Sequence, residues 1–215
     1  MKLSAVLASV VLAYLAGRAE LSPQDPPAPP KPAANTPMGE AMQDSAAAMK
    51  RWMDTMKPSK HHEYLHQFLG KWETTMRISM GGPGTKPMET KGTAEYRWLV
   101  EGKWLIREAE GSMPMMGKTR SFTIFGFDNY KKKYVTVQVD SMTTAMLVSE
   151  GMLDHTGKTR FTYGPMDEPM SGEHDKPVKY ATRVISADEH VEEVHDLAIG
   201  ETNTKVLETV YKRVK

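Results

Sequence analysis

Leu65-His66-Gln67-Phe68-Leu69-Gly70-Lys71-Trp72-Glu73-Thr74-Thr75-Met76-Arg77-Ile78-Ser79-Met80 is where the hydrophobic period of the chain changes. Leu65, Phe68 and Leu69 stand at i, i+3 and i+4, the spacing of one helix face, and Gly70 is a natural helix stop. From Trp72 the period is two. Trp72, Thr74, Met76, Ile78 and Met80 alternate with Glu73, Thr75, Arg77 and Ser79, so one face is mostly apolar and the other polar, as in a half-buried strand.

The period stays at two downstream. After the turn residues Gly81-Gly82-Pro83-Gly84, strands are expected at residues 93–100, 104–111, 119–127, 134–142 and 144–153. Residues 160–163, 178–186, 190–198 and 205–214 complete the series. The connections Glu101-Gly102, Asp128-Asn129, His155-Thr156-Gly157 and Gly200 are short, leaving no room for crossover helices, so the sheet is antiparallel and meandering. About ten such strands most easily lose their edges by closing into a barrel.

Upstream, Ser59 is placed to cap the short helix that ends at Gly70, and Pro58 stops an earlier one. That earlier helix carries Met42, Met49, Met53 and Met56 on one broad stripe beside Trp52, a pattern that core packing explains. Pro26, Pro27, Pro29, Pro30 and Pro32 mark an extended spacer. Lys2, the apolar run from Leu3 to Leu15 and the small residues ending at Ala19 read as a secretory signal peptide. The run is shorter than the roughly 17–25 residues that span a bilayer, so no membrane span is expected after cleavage. The expected organisation is a signal at 1–19, a Pro/Ala-rich linker at 20–37, a helical cap at 38–69 and a barrel at 70–215, in an exported protein, periplasmic or extracellular.

Lys and Arg total 28 against 27 Asp and Glu, with no basic block, which argues against nucleic-acid binding. The chain has no cysteine, so disulfides, thiolate-held zinc and thiol catalysis are excluded.

Leu69-Gly70-Lys71-Trp72, a Gly-x-Trp entering the first strand from a short helix, resembles the opening of lipocalins and other calycins. There the Trp plugs one end of the barrel and a basic residue of the last strand lies across it, a role the resemblance gives to Trp72 and Arg213. Trp98-Leu99-Val100-Glu101-Gly102-Lys103-Trp104, Gly111-Ser112-Met113-Pro114, Phe125-Gly126-Phe127-Asp128, Asp140-Ser141-Met142-Thr143, Glu150-Gly151 and Thr209-Val210-Tyr211-Lys212-Arg213 add to it. In that order they resemble the blocks of a secreted bacterial family known as domain of unknown function one-five-seven-nine, placed with the calycins. The resemblance covers roughly His62 to Arg213. It implies a calycin-like barrel and no catalytic residue.

Four constellations bear on chemistry. His62-Glu63-Tyr64-Leu65-His66 is formally H-E-x-x-H, which on a helix sets two imidazoles and a general base toward a zinc-bound water. The third ligand such a site needs is missing, because Leu69 and Trp72 stand where the metzincin continuation has Gly and His. His61-His62 and Met113-Pro114-Met115-Met116 are imidazole and soft thioether ligands suited to copper, although Met also simply fills core gaps. Ser141 lies in no Gly-x-Ser-x-Gly elbow. His195, alternating with Val191 and Leu197, would reach haem if it entered the barrel, as in nitrobindin barrels.

The expected function is therefore non-catalytic binding or sensing of a small, largely apolar molecule, with no cofactor. The alternative is metal handling or metal-dependent hydrolysis through His62, Glu63 and His66. Ligand contacts are expected from Trp98, Trp104, Glu108 and Asp140. Met142, His195 and Glu208 complete the set, provided that these faces point inward. In the strand 134–142 the valines 135, 137 and 139 are the more natural core face, which competes with Gln138 and Asp140.

Overall fold

The computed structural model describes residues 45–79, 84–113, 117–169, 171–200, 202 and 204–215. The signal-like segment, the Pro-rich linker, Met42 of the methionine stripe, the turn residues Gly81-Gly82-Pro83 and Pro114-Met115-Met116 of the copper reading lie outside them. The chain divides into two units, Met1–Ala48 and Met49–Lys215, and every strand belongs to the second.

Among the described residues two helices, α1 (Ser45–Met56) and α2 (Lys60–His66), precede ten strands. These are β1 (Gly70–Ile78), β2 (Met88–Val100), β3 (Trp104–Met113), β4 (Gly117–Asp128) and β5 (Lys133–Asp140). They continue as β6 (Leu147–Leu153), β7 (Thr159–Glu168), β8 (Glu173–Ser186), β9 (Glu189–Asp196) and β10 (Lys205–Arg213), with a 3-10 turn, Leu197–Ile199, after β9. Each strand pairs antiparallel with its sequence neighbours, and β1 closes the barrel against β10 with Trp72 opposite Arg213 and Ile78 opposite Leu207. Along the barrel wall, closure pairs the strands on both sides.

The ten strands are those the alternation predicts, with displaced ends. Asp140 ends β5 because its Oδ1 accepts from the Met142 and Thr143 N–H groups (2.8 and 3.1 Å), a side-chain turn that competes with the ladder. β7 and β8 run well past their predicted ends. Pro165 faces Pro177 in a ribbon where, from Gly164 outward, β7 pairs only with β8, and prolines are tolerated where one side of a strand has no ladder to supply.

α2 seals one end of the barrel. Leu65 and Phe68 are buried in a cluster with Trp72, Tyr96, Phe125 and Tyr134. The helix starts with Ser59, whose N–H donates to His62 Nδ1 at 3.0 Å, so a histidine fills the place that a capping box usually gives to Glu or Gln. On α1 the methionine stripe is not core: Met49, Trp52, Met53 and Met56 are each about half exposed (52, 60, 49 and 49%). Helical period alone does not say which face has a partner.

Candidate functional site

The inward face of the barrel has three layers. At the sealed end lie aromatic rings and His190, which is 1% exposed, stacked 4.2 Å from Tyr211 and edge-on to Trp72 at 4.5 Å. Burial drives the His190 pKa down to about 3, so the ring is neutral at physiological pH.

The middle layer is charged. Arg107 on β3 donates through Nη1 to Tyr211 Oη at 2.7 Å and to a Glu192 carboxylate oxygen, and through Nη2 to Thr123 Oγ1 at 2.9 Å and Gln138 Oε1 at 3.3 Å. Tyr211 Oη donates to the same Glu192 oxygen at 3.0 Å. Burial opposes both charges, yet their mutual attraction wins: Arg107 is held well above the ordinary arginine value and Glu192 below the usual carboxylate range. A second guanidinium, Arg160 on β7, is 4% exposed, donates through Nη2 to Thr182 Oγ1 at 3.1 Å and lies 4.8 Å from the Phe125 ring.

Above this layer is a cavity of about 260 Å³. Thr162, Ser149, Thr136 and Tyr180 line it on one side together with both arginines, and Met76, Ile78, Met113, Leu147 and Leu207 line it toward the end away from α2. The lining is mixed: Thr74, Thr90, Glu110, Ser121 and Asp140 stand among these apolar side chains, and polar groups converge at the base, where a ligand could be oriented.

Of the residues expected to contact ligand, Asp140 and Met142 line this cavity. The other five do not. Glu108 is on the outer face, paired with Arg97 (2.6 Å) and Arg120 (3.2 Å), and Glu208 is likewise outside, paired with Lys205 (2.6 Å) and Arg77 (3.0 Å). Trp104 is 36% exposed and packs its ring over Gly126. Trp98 packs on the sealed end, its ring 4.9 Å from that of His66. His195 faces away from the barrel interior, its Nδ1 3.1 Å from Thr204 Oγ1, and the inward imidazole of that strand is His190. The ligand face of β3 is one residue out of step with the expected one: Leu105, Arg107 and Ala109 point in, and Trp104, Ile106 and Glu108 lie on the opposite face.

In β5 the competing expectation fails. Tyr134, Thr136, Gln138 and Asp140 face inward, and Val139 on the opposite face is 38% exposed. The interior is polar enough that apolarity marks the wrong side.

Trp72 and Arg213 meet at the sealed end. His62 and His66 are not brought together as a ligand pair. His62 is buried, its Nδ1 bonded to Ser59 and its ring edge-on to that of Phe127 at 6.0 Å, whereas His66 and Glu63 are exposed. No group of three His, Asp or Glu side chains suited to a metal occurs among the described residues. Nor, among them, is any helix long and apolar enough to cross a membrane.

A family model described as protein of unknown function (DUF1579) matches residues 57–213. No curated protein matches the chain. A crystal structure of Rv2717c from M. tuberculosis is similar at 14% identity, covering 74% of this chain and all of that one, with a TM-score of 0.51. A redesigned β-barrel, mFAP0, bound to DFHBI, is similar at 12% identity over 68% of this chain and 99% of that one, with a TM-score of 0.35.

Proposed function

This chain belongs to the family of proteins of unknown function DUF1579, and on that premise we propose that it is a calycin-like, exported, non-catalytic barrel that binds or senses one small molecule with a largely apolar body. The observation that carries the reading is the cavity of about 260 Å³, with Met76, Ile78, Met113, Leu147 and Leu207 among its lining and two guanidiniums at its base. It is near the small end of ligand pockets, so the occupant is a compact molecule. Lys2, the run from Leu3 to Leu15 and Ala19 support export. Trp72 beneath Arg213 supports the calycin-like grouping.

The test is a side chain that fills the cavity. Ala109 lines it from β3, and Ala109→Phe should abolish binding of an environment-sensitive dye such as anilinonaphthalene sulfonate while unfolding stays cooperative. Equal dye binding by the folded variant would overturn the reading. Native mass spectrometry of protein from its own source should show a retained small molecule, and N-terminal sequencing of that protein should begin at residue 20.

A further inference from the structure

We propose that the ligand carries a single anionic group, a carboxylate or a group of the same charge and shape, seated against Arg160 with its apolar body directed toward Met76, Ile78 and Leu147; this deepens the binding reading above and rests on it.

The two guanidiniums inside the barrel are compensated unequally. Arg107 and Glu192 neutralise one another through a direct ion pair. Arg160 has no such partner: among the described residues no carboxylate lies within ion-pair distance of it, although only 4% of its surface is exposed. Buried charges in proteins are paired, because an unpaired one forfeits its hydration without return. A guanidinium carries five N–H donors. Arg160 gives one to Thr182 Oγ1, and its Nε has no hydrogen-bond partner.

Three further polar atoms of residues on the same cavity are orphaned, Arg107 Nε among them. Tyr180 Oη on β8 and Thr136 Oγ1 on β5 are buried without a partner, and both residues line the cavity with Arg160. Both hydroxyls can donate. A carboxylate supplies the acceptors that Arg160 and these two hydroxyls lack, and its charge matches the one the protein leaves uncompensated. A cationic head at this place would meet two guanidiniums against the single carboxylate of Glu192, and an alcohol would leave Arg160 without an ion-pair partner. Methionines at Met76 and Met113 suit an apolar body of adaptable shape.

Octanoate, 1-octanol and octylammonium share one chain and differ in head group, and their binding to the full chain by titration calorimetry separates the cases. Octanoate should bind at least tenfold more tightly than octanol, and octylammonium more weakly than either. Arg160→Met should bring octanoate down to the affinity of octanol and leave octanol unchanged, while the melting temperature of the unliganded variant equals or exceeds that of the parent. A residue kept only for structure would lower it.

Equal affinity for octanoate and octanol, or a preference for octylammonium, would overturn the anionic assignment and leave cavity binding standing. So would a folded Arg160→Met that still binds octanoate tightly. If that variant does not fold, Arg160→Lys, which keeps the charge but loses the fork, must still weaken octanoate severalfold for the assignment to stand. Inorganic phosphate or chloride stabilising the protein as much as octanoate, through Arg160, would replace the organic acid with a simple anion and overturn the proposal. Binding of none of the three probes, together with an Ala109→Phe variant that leaves dye binding unchanged, would overturn both readings.

Discussion

Arg213 lies over the indole of Trp72, its Cζ 4.1 Å from the ring centroid, and at the same time ties the last strand to the end of α2. Its guanidinium donates to the carbonyls of Leu69 and Gln67, and its Nε to that of Ala187 at 3.0 Å. Trp72 Nε1 donates to the Phe68 carbonyl at 2.8 Å. One indole and one guanidinium thus join the first strand, the last strand and the sealing helix.

Trp72→Ala should cost about 3–5 kcal/mol, the usual range for deleting a buried aromatic. Arg213→Ala should cost less, because the cation–π term is roughly 0.5–2 kcal/mol and three carbonyls are freed at the barrel rim. The double mutant should lose less than the sum of the singles. Denaturant unfolding of all four proteins measures the coupling, and strict additivity would show that the two side chains act independently.

Arg107→Met should destabilise by about 3–5 kcal/mol, since it leaves the Glu192 carboxylate inside the barrel without its guanidinium. Changing Glu192→Gln in the same protein should return part of that loss. Urea unfolding of the single and double variants checks the order, and a double variant no better than Arg107→Met would mean that packing rather than charge was lost.

Acid should destabilise the fold through His190. Its pKa falls from 6.5 to about 3 on burial, so between those values the unfolded chain binds a proton that the folded chain refuses. The associated stability is fully present above pH 6.5 and is lost as pH falls toward 3, on the order of 5 kcal/mol in full. His190→Phe, which keeps a ring against Tyr211, should flatten the stability profile in that window. An unchanged slope would place the acid sensitivity elsewhere.

Gly151 and Gly126 should respond differently to alanine. A Cβ at Gly151 would stand 1.8 Å from the Phe161 carbonyl oxygen, a backbone atom of the paired strand, whereas at Gly126 it would meet the ring of Trp104 at 2.3 Å. Trp104 is partly exposed and can rotate away; the β7 backbone cannot. Gly151→Ala should cost about 1–3 kcal/mol or more and Gly126→Ala less, as measured by thermal unfolding.

Removing residues 20–57 should leave a cooperative barrel. Asn129 Nδ2 donates to the carbonyls of Thr55 and Lys57 (3.2 and 2.7 Å), and the methionine face of α1 is half exposed, so little of the core is surrendered. A single sharp calorimetric transition is the expected result.

The ten-strand barrel was legible because local rules suffice for it. Alternation in residues 72–80, glycine turns and connections too short for helices leave antiparallel closure as the way to satisfy every strand edge. The Trp72–Arg213 pairing was legible through the family resemblance, whereas Gly70, expected to stop the helix, is the first residue of β1, and α2 ends at His66 with Gln67 as its cap. The direction of each alternating face was not. In β3 the apolar run Trp104-Leu105-Ile106 fits either parity, and in β5 the valines stand outside while Gln138 and Asp140 stand inside. Hydrophobicity marks the interior only where the interior is apolar, and this one is charged at mid-height. Arg107, Arg160 and Glu192 are far apart along the chain and gain their meaning only when closure brings β3, β7 and β9 around one space. What the sequence by itself determined is the periodicity, and hence the barrel. The cavity and its uncompensated guanidinium belong to the tertiary structure, because burial and charge pairing are properties of neighbours that no single strand contains.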